Sequence, residues 1–173
     1  MGALSPTLLV AATDQVVLVK IAGRASFSCS VEFKALVYGL RDHGHRRFVL
    51  DLADCLIMDS TFLGVLAGFA LKLSASPGAP ATITLLNPNQ RILDLLDNLG
   101  VSHLFNVIQG KDPLSEKCHE IQPSGGPNRL DTSRACLEAH ETLMAINPAN
   151  IPKFKDVTRF MAEDLKKQEA QKA

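Results

Sequence analysis

Apolar positions switch repeatedly between strand-like and helix-like spacing over the first 110 residues. Thr7–Ala12 and residues 16–21 are short β-branched runs separated by Asp14 and Gln15, the pattern of a hairpin whose turn lacks glycine. Phe33, Leu36, Val37 and Leu40 follow helical spacing within residues 31–40, and Gly44 offers a stop just beyond them. Residues 47–52 are continuously apolar enough for a strand covered on both faces. A helix is expected over residues 60–73, ended by Ser76, Pro77, Gly78, Ala79 and Pro80. Thr82–Leu86 reads as a strand, Asn87, Pro88 and Asn89 as a turn and cap, and Ile92, Leu93, Leu95, Leu96 and Leu99 as a helical stripe closed by Gly100. A last short strand is expected at residues 105–108.

Helices between successive strands require crossover connections, so the pattern predicts an α/β domain: a mixed β-sheet of about five strands with helices packed on it. This domain should occupy residues 1–110. From 111 to 130, Pro113, Pro123, Ser124, Gly125, Gly126 and Pro127 break any periodicity, which predicts a flexible connector. Residues 131–173 read as a C-terminal helical hairpin interrupted at Asn147 and Pro148. Its second helix carries the stripe Ile151, Phe154, Val157, Met161 and Leu165, with a fraying polar tail from Lys166. That stripe suits docking on its own domain, pairing with a second copy as a homo-oligomer, or another protein.

Charge narrows the function. Eighteen Lys and Arg against 18 Asp and Glu give a formal net charge of +0, leaving no basic footprint for nucleic acid or an anionic membrane. The apolar run 62–71 contains Gly64 and Gly68, ends at Lys72, and falls short of the roughly 20 residues of a membrane span. Residues 1–6 lack a charged region leading into a hydrophobic one, so a cytoplasmic protein is expected. Cys29, Cys55, Cys118 and Cys136 are scattered and read as reduced thiols.

The densest chemistry lies where residues 48–52 run through Cys55 to Met58, Asp59, Ser60, Thr61, Phe62, Leu63 and Gly64 at the head of an apolar helix. Ser60 reads as the N-cap, with its hydroxyl at the positive end of the helix. This turn, in this order of elements, resembles the STAS domain family, whose best-known members are the anti-sigma-factor antagonists of bacteria. The resemblance covers residues 7–108. It implies a non-enzymatic regulatory module in which Ser60 is the phosphoacceptor and Asp59, Ser60, Thr61, Phe62 and Gly64 form the partner surface. Phe62, at a position where that family often has glycine, is expected to offer an apolar contact. The implied partners are a serine kinase of the anti-sigma-factor type, which binds the unmodified form, and a serine phosphatase that reverses the modification. A permanent structural subunit of a lipid-transport or sensory assembly is the alternative, with Ser60 merely capping its helix.

Other motifs carry less. His140, Glu141, Thr142, Leu143 and Met144 begin like a zinc-protease HExxH helix, but Met144 stands where the second ligand belongs, so a solvated helix face is expected. Cys118 and His119 are adjacent, a poor geometry for a thiolate and its base. His43, His45, Arg46 and Arg47 form a small basic cluster expected at the surface. There is no phosphate-binding glycine loop and no credible nucleophile with its base, so no cofactor, metal or catalytic residue is expected.

Overall fold

A computed structural model describes residues 5–78, 80–121 and 125–173. Residues 1–4, read for a targeting signal, and Ala79, Pro123 and Ser124, read as loop formers, lie outside them.

Strands β1 (Thr7–Ala12) and β2 (Val17–Ala25) form the expected antiparallel hairpin, with Leu8 opposite Ile21. Its turn needs no glycine because the Thr13 hydroxyl oxygen accepts from the amides of Gln15 (3.3 Å) and Val16 (3.2 Å). Helix α1 (Phe27–Asp42) starts earlier than its apolar spacing suggests. Strands β3 (Arg47–Asp51) and β4 (Cys55–Met58) precede helix α2 (Ser60–Ala75). Strand β5 (Thr82–Leu86), helix α3 (Gln90–Leu99) and strand β6 (Asn106–Ile108) complete the alternation. Asn89 caps α3, accepting from Ile92 N at 3.1 Å, and Gly100 ends it at φ 68°, as the residue types predicted.

Among the described residues the seven-stranded sheet, which ends on β7 (His119–Glu120), runs β6-β5-β3-β2-β1-β7, with β4 paired to the far end of β2. Pairs β2–β3, β3–β5 and β5–β6 are parallel, and β1–β2 is antiparallel. The sheet is therefore mixed, as expected. Between Gly23 and Arg24 the register shifts, and Gly23 at φ 81° allows β2 to turn from β3 toward β4. Val17, Val19, Ile21, Phe48, Leu50 and Leu85 bring strand side chains into a core shared with Phe33, Phe62, Phe69 and Leu73. Phe69 meets Phe48 edge-on at 4.9 Å between centroids.

Within residues 111–130, several groups dock on the sheet. Pro113–Lys117 is a 3-10 turn, and its Ser115 hydroxyl donates to the buried Asp51 carboxylate at 2.7 Å. His119–Glu120 forms β7, antiparallel to β1.

Helices α4 (Arg129–Ile146) and α5 (Ile151–Lys172) form the hairpin beyond. Asn147 and Pro148 separate them, and α5 stays helical through the polar residues where fraying was expected. The periodicity of α5 is right but its phase is not: Ile151 and Val157 are exposed, whereas Phe154, Thr158, Met161 and Leu165 turn inward. Buried Asn150 anchors the hairpin, its amide donating to Leu99 O and Leu143 O, each at 2.9 Å. No helix among the described residues is long and apolar enough to cross a membrane.

Candidate partner-binding site

The turn from β4 into α2 is held by one carboxylate. Asp59 Oδ1 accepts from Phe62 N at 2.8 Å, and its Oδ2 accepts from Phe27 N at 2.9 Å, so a single side chain caps α2 and binds the start of α1. The N-cap is therefore Asp59, not Ser60. Asp59 has extended backbone angles (φ −97°, ψ 169°), which orient its carboxylate over the first turn; Ser60 is already helical. Its hydroxyl is thereby left for other partners.

That hydroxyl meets the C-terminal extension. Ser60 Oγ lies 2.9 Å from His140 Nε2, a residue 80 positions away on α4, and His140 Nδ1 lies 2.7 Å from Cys136 O. A carbonyl only accepts, so Nδ1 carries the ring proton of the neutral imidazole and Nε2 accepts from the Ser60 hydroxyl. Ser60 is half-buried, and His140 is 5% exposed. The face expected to be solvated at His140 is thus an interface with α2, with Phe154 packed 4.8 Å from the imidazole centroid. Sequence spacing held no signal for this pair; the one cue was a histidine among the alanines Ala135 and Ala139 at helical spacing.

The remaining proposed surface residues separate. Thr61, 6% exposed, donates to Cys136 Sγ at 3.7 Å. Gly64 faces α4 so closely that a Cβ there would strike the Ala139 carbonyl. Phe62 is fully buried, its ring centroid 4.6 Å from that of Phe33. It is a core residue and not an apolar docking contact: the helical phase that turns Ser60 toward α4 turns Phe62, two residues on, toward Phe33. The exposed apolar side chains near the turn are instead Phe27 (52% exposed), Leu56 (51%) and Ile57 (37%). Phe27 and Ile57 share a shallow cleft with Arg24 and Asp59.

The other motifs take structural roles. Cys118 donates to Leu114 O at 3.5 Å, and burial pushes its thiol pKa up, the reverse of a reactive thiolate. In the basic cluster, Arg46 donates to Ser76 O at 2.9 Å, and His43 Nδ1 lies 2.7 Å from Gly39 O at the end of α1.

The STAS domain profile matches residues 7–119, about two thirds of the chain. The chain belongs to the STAS domain family. No curated protein sequence matches it. Among solved structures, a candidate anti-sigma factor antagonist from Thermotoga maritima superposes with a TM-score of 0.51 at 20% identity, covering 62% of this chain and 90% of that one. An anti-sigma factor antagonist from Mycobacterium paratuberculosis gives 0.52 at 19%, covering 60% and 85%. The phosphorylated form of the Bacillus cell fate determinant SpoIIAA gives 0.51 at 16%, covering 64% and 96%. At such identities the likeness is one of fold. Helices α4 and α5 lie beyond the stretch matched to the STAS domain.

Proposed function

We propose that this STAS protein is a non-enzymatic regulatory module of the anti-sigma-factor-antagonist type, with the β4–α2 turn as its partner surface and Ser60 as its phosphoacceptor. The observation that supports this reading is the double clamp of Asp59 on the starts of α1 and α2, which fixes the helix end that carries Ser60, while exposed Phe27 and Ile57 share the cleft that Asp59 lines. A serine kinase of the anti-sigma-factor type is the proposed partner, with a serine phosphatase reversing the mark, in the bacterial cytoplasm. Thr61 and Gly64 belong to the surface beneath α4; Phe62 does not belong to it. A phosphoryl group brings roughly −1.5 to −2 charges. A like-charge pair at ~7 Å costs about 2 kcal/mol at an effective dielectric of ~20, so two such pairs weaken binding on the order of a thousandfold.

The test is incubation of the full chain with an anti-sigma-type serine kinase and ATP, with the modified site mapped by mass spectrometry. Phosphate on Ser60, absent from Ser60→Ala, together with weakened binding by Ser60→Asp, supports the reading. Modification confined to another residue, or binding by Ser60→Asp equal to wild type, overturns it.

The bond between Ser60 and His140 favours a second reading, in which the domain is a structural subunit and Ser60 only secures α4. On that reading Ser60→Ala loosens α4 and changes no partner.

A further inference from the structure

We propose that α4 is a built-in cover for the site: docked, it occupies the face of α2 that an external partner would use and withholds the Ser60 hydroxyl, and phosphorylation of Ser60 expels it. This rests on Ser60 being the acceptor, and concerns what controls access to it.

Contacts at three successive turns of α2 carry the inference. At the first turn, the Ser60 hydroxyl donates to His140 Nε2 at 2.9 Å, and Thr61 donates to Cys136 Sγ. One turn on, Gly64 admits the Ala139 backbone so closely that no side chain fits between the helices. A turn further, Gly68 leaves room for Thr142, whose methyl would sit 3.5 Å from an added Cβ. Glu138 closes the flank, 2.6 Å from Lys34 Nζ on α1 and 3.9 Å from Lys72 Nζ on α2. An external protein cannot reach this face while α4 lies on it.

The Ser60 oxygen is also the atom that would be modified. A phosphoryl group replaces the hydroxyl proton, so the donor to neutral His140 Nε2 disappears, and three oxygens must enter a 2.9 Å gap beside a ring that is 5% exposed. The carboxylate facing this volume is Asp59, committed to two amides, and it repels the added charge. His140 is the titratable group facing Ser60 from α4, joined there by the Cys136 thiol, which is held neutral by burial.

An equilibrium follows. If the docked helix is open in one molecule out of a hundred, a partner that needs the bare face binds a hundredfold more weakly than its intrinsic affinity, and Ser60 is protected from modification in the same proportion. The two ends of α4 differ: Asn147 and Asn150 tie the α4–α5 junction to Leu99, whereas the start of α4 follows the exposed Gly125 and Gly126.

The experiment is hydrogen exchange followed by mass spectrometry on the full chain, without any partner. Wild type is compared with a chain carrying phosphoserine installed at position 60 during translation, and with Ala139→Glu, which places a charged side chain against Gly64. Exchange in α4 should rise at least tenfold in both, while amides of β2, β3 and β5 change less than twofold and report an intact domain. Unchanged α4 protection in the phosphoserine chain overturns the proposal. So does loss of protection in α4 and the strands together, which would make α4, whose Ala139 and Leu143 lie in the shared core, inseparable from the domain. Because no kinase takes part, failure of the kinase assay strikes the proposed partner and leaves this result standing.

Discussion

Replacing Asp59 with alanine removes two acceptors at once, because its carboxylate receives Phe62 N at 2.8 Å and Phe27 N at 2.9 Å. Loss of the N-cap of α2 costs about 1 kcal/mol. The bond to Phe27 N has a charged acceptor, which ordinarily contributes about 1.5–3 kcal/mol; the site is half-buried and water can reach the freed amide, so the lower end applies. The sum is about 2–3 kcal/mol. For a chain of this length that lowers Tm by roughly 4–12 °C. Asp59→Asn separates the two bonds: its amide oxygen can still cap Phe62 N, but its NH2 then faces the Phe27 N–H donor to donor, so it should recover about half of the loss. Urea unfolding of wild type, Asp59→Ala and Asp59→Asn measures both steps. A loss below about 0.5 kcal/mol for alanine, or full recovery by asparagine, would refute the double clamp.

Other substitutions probe the extension and the core. Asn150→Ala strips a buried donor from Leu99 O and Leu143 O and should cost about 2–4 kcal/mol in chemical denaturation. Gly100→Ala forces a side chain into a φ of 68° and against the Asn147 side chain, so a loss of at least about 1 kcal/mol is expected by the same measurement. Stability should fall in alkali: desolvation raises the Cys29 thiol from 9.0 to about 11 in the folded chain, so its contribution is complete below pH 9 and lost as pH rises through about 11. The slope approaches about 1.4 kcal/mol per pH unit for this one thiol, and unfolding curves at pH 8 and pH 10.5 for wild type and Cys29→Ala should show a difference that narrows at the higher pH.

Much of the STAS domain was legible because its signals are local. Thr82–Leu86 is bounded by a proline-glycine loop and by Asn87, so the strand declares both ends, and Asn89 and Gly100 mark α3 by the backbone groups they satisfy. The alternation of strands and helices required crossovers, and hence the parallel core of the mixed sheet. Even the chemistry of the turn was visible, since an Asp-Ser-Thr triplet before an apolar helix is a capping pattern; which of the three caps depended on backbone angles that residue types do not specify.

What the tertiary structure decided is everything that depends on contacts between distant segments. His140 reaches Ser60 across 80 residues, and no period along α4 distinguishes a helix face bathed in water from one laid against Gly64. Phe62 had the same ambiguity: beside a serine at a helix start it suggested a docking contact, until the packing of α1 on α2 placed Phe33 against it. Strand β7, two residues long, carries no readable pattern and exists because β1 offers an unpaired edge. Periodicity reports which side chains avoid water, whereas the surface that covers them is chosen by the packing of the whole chain.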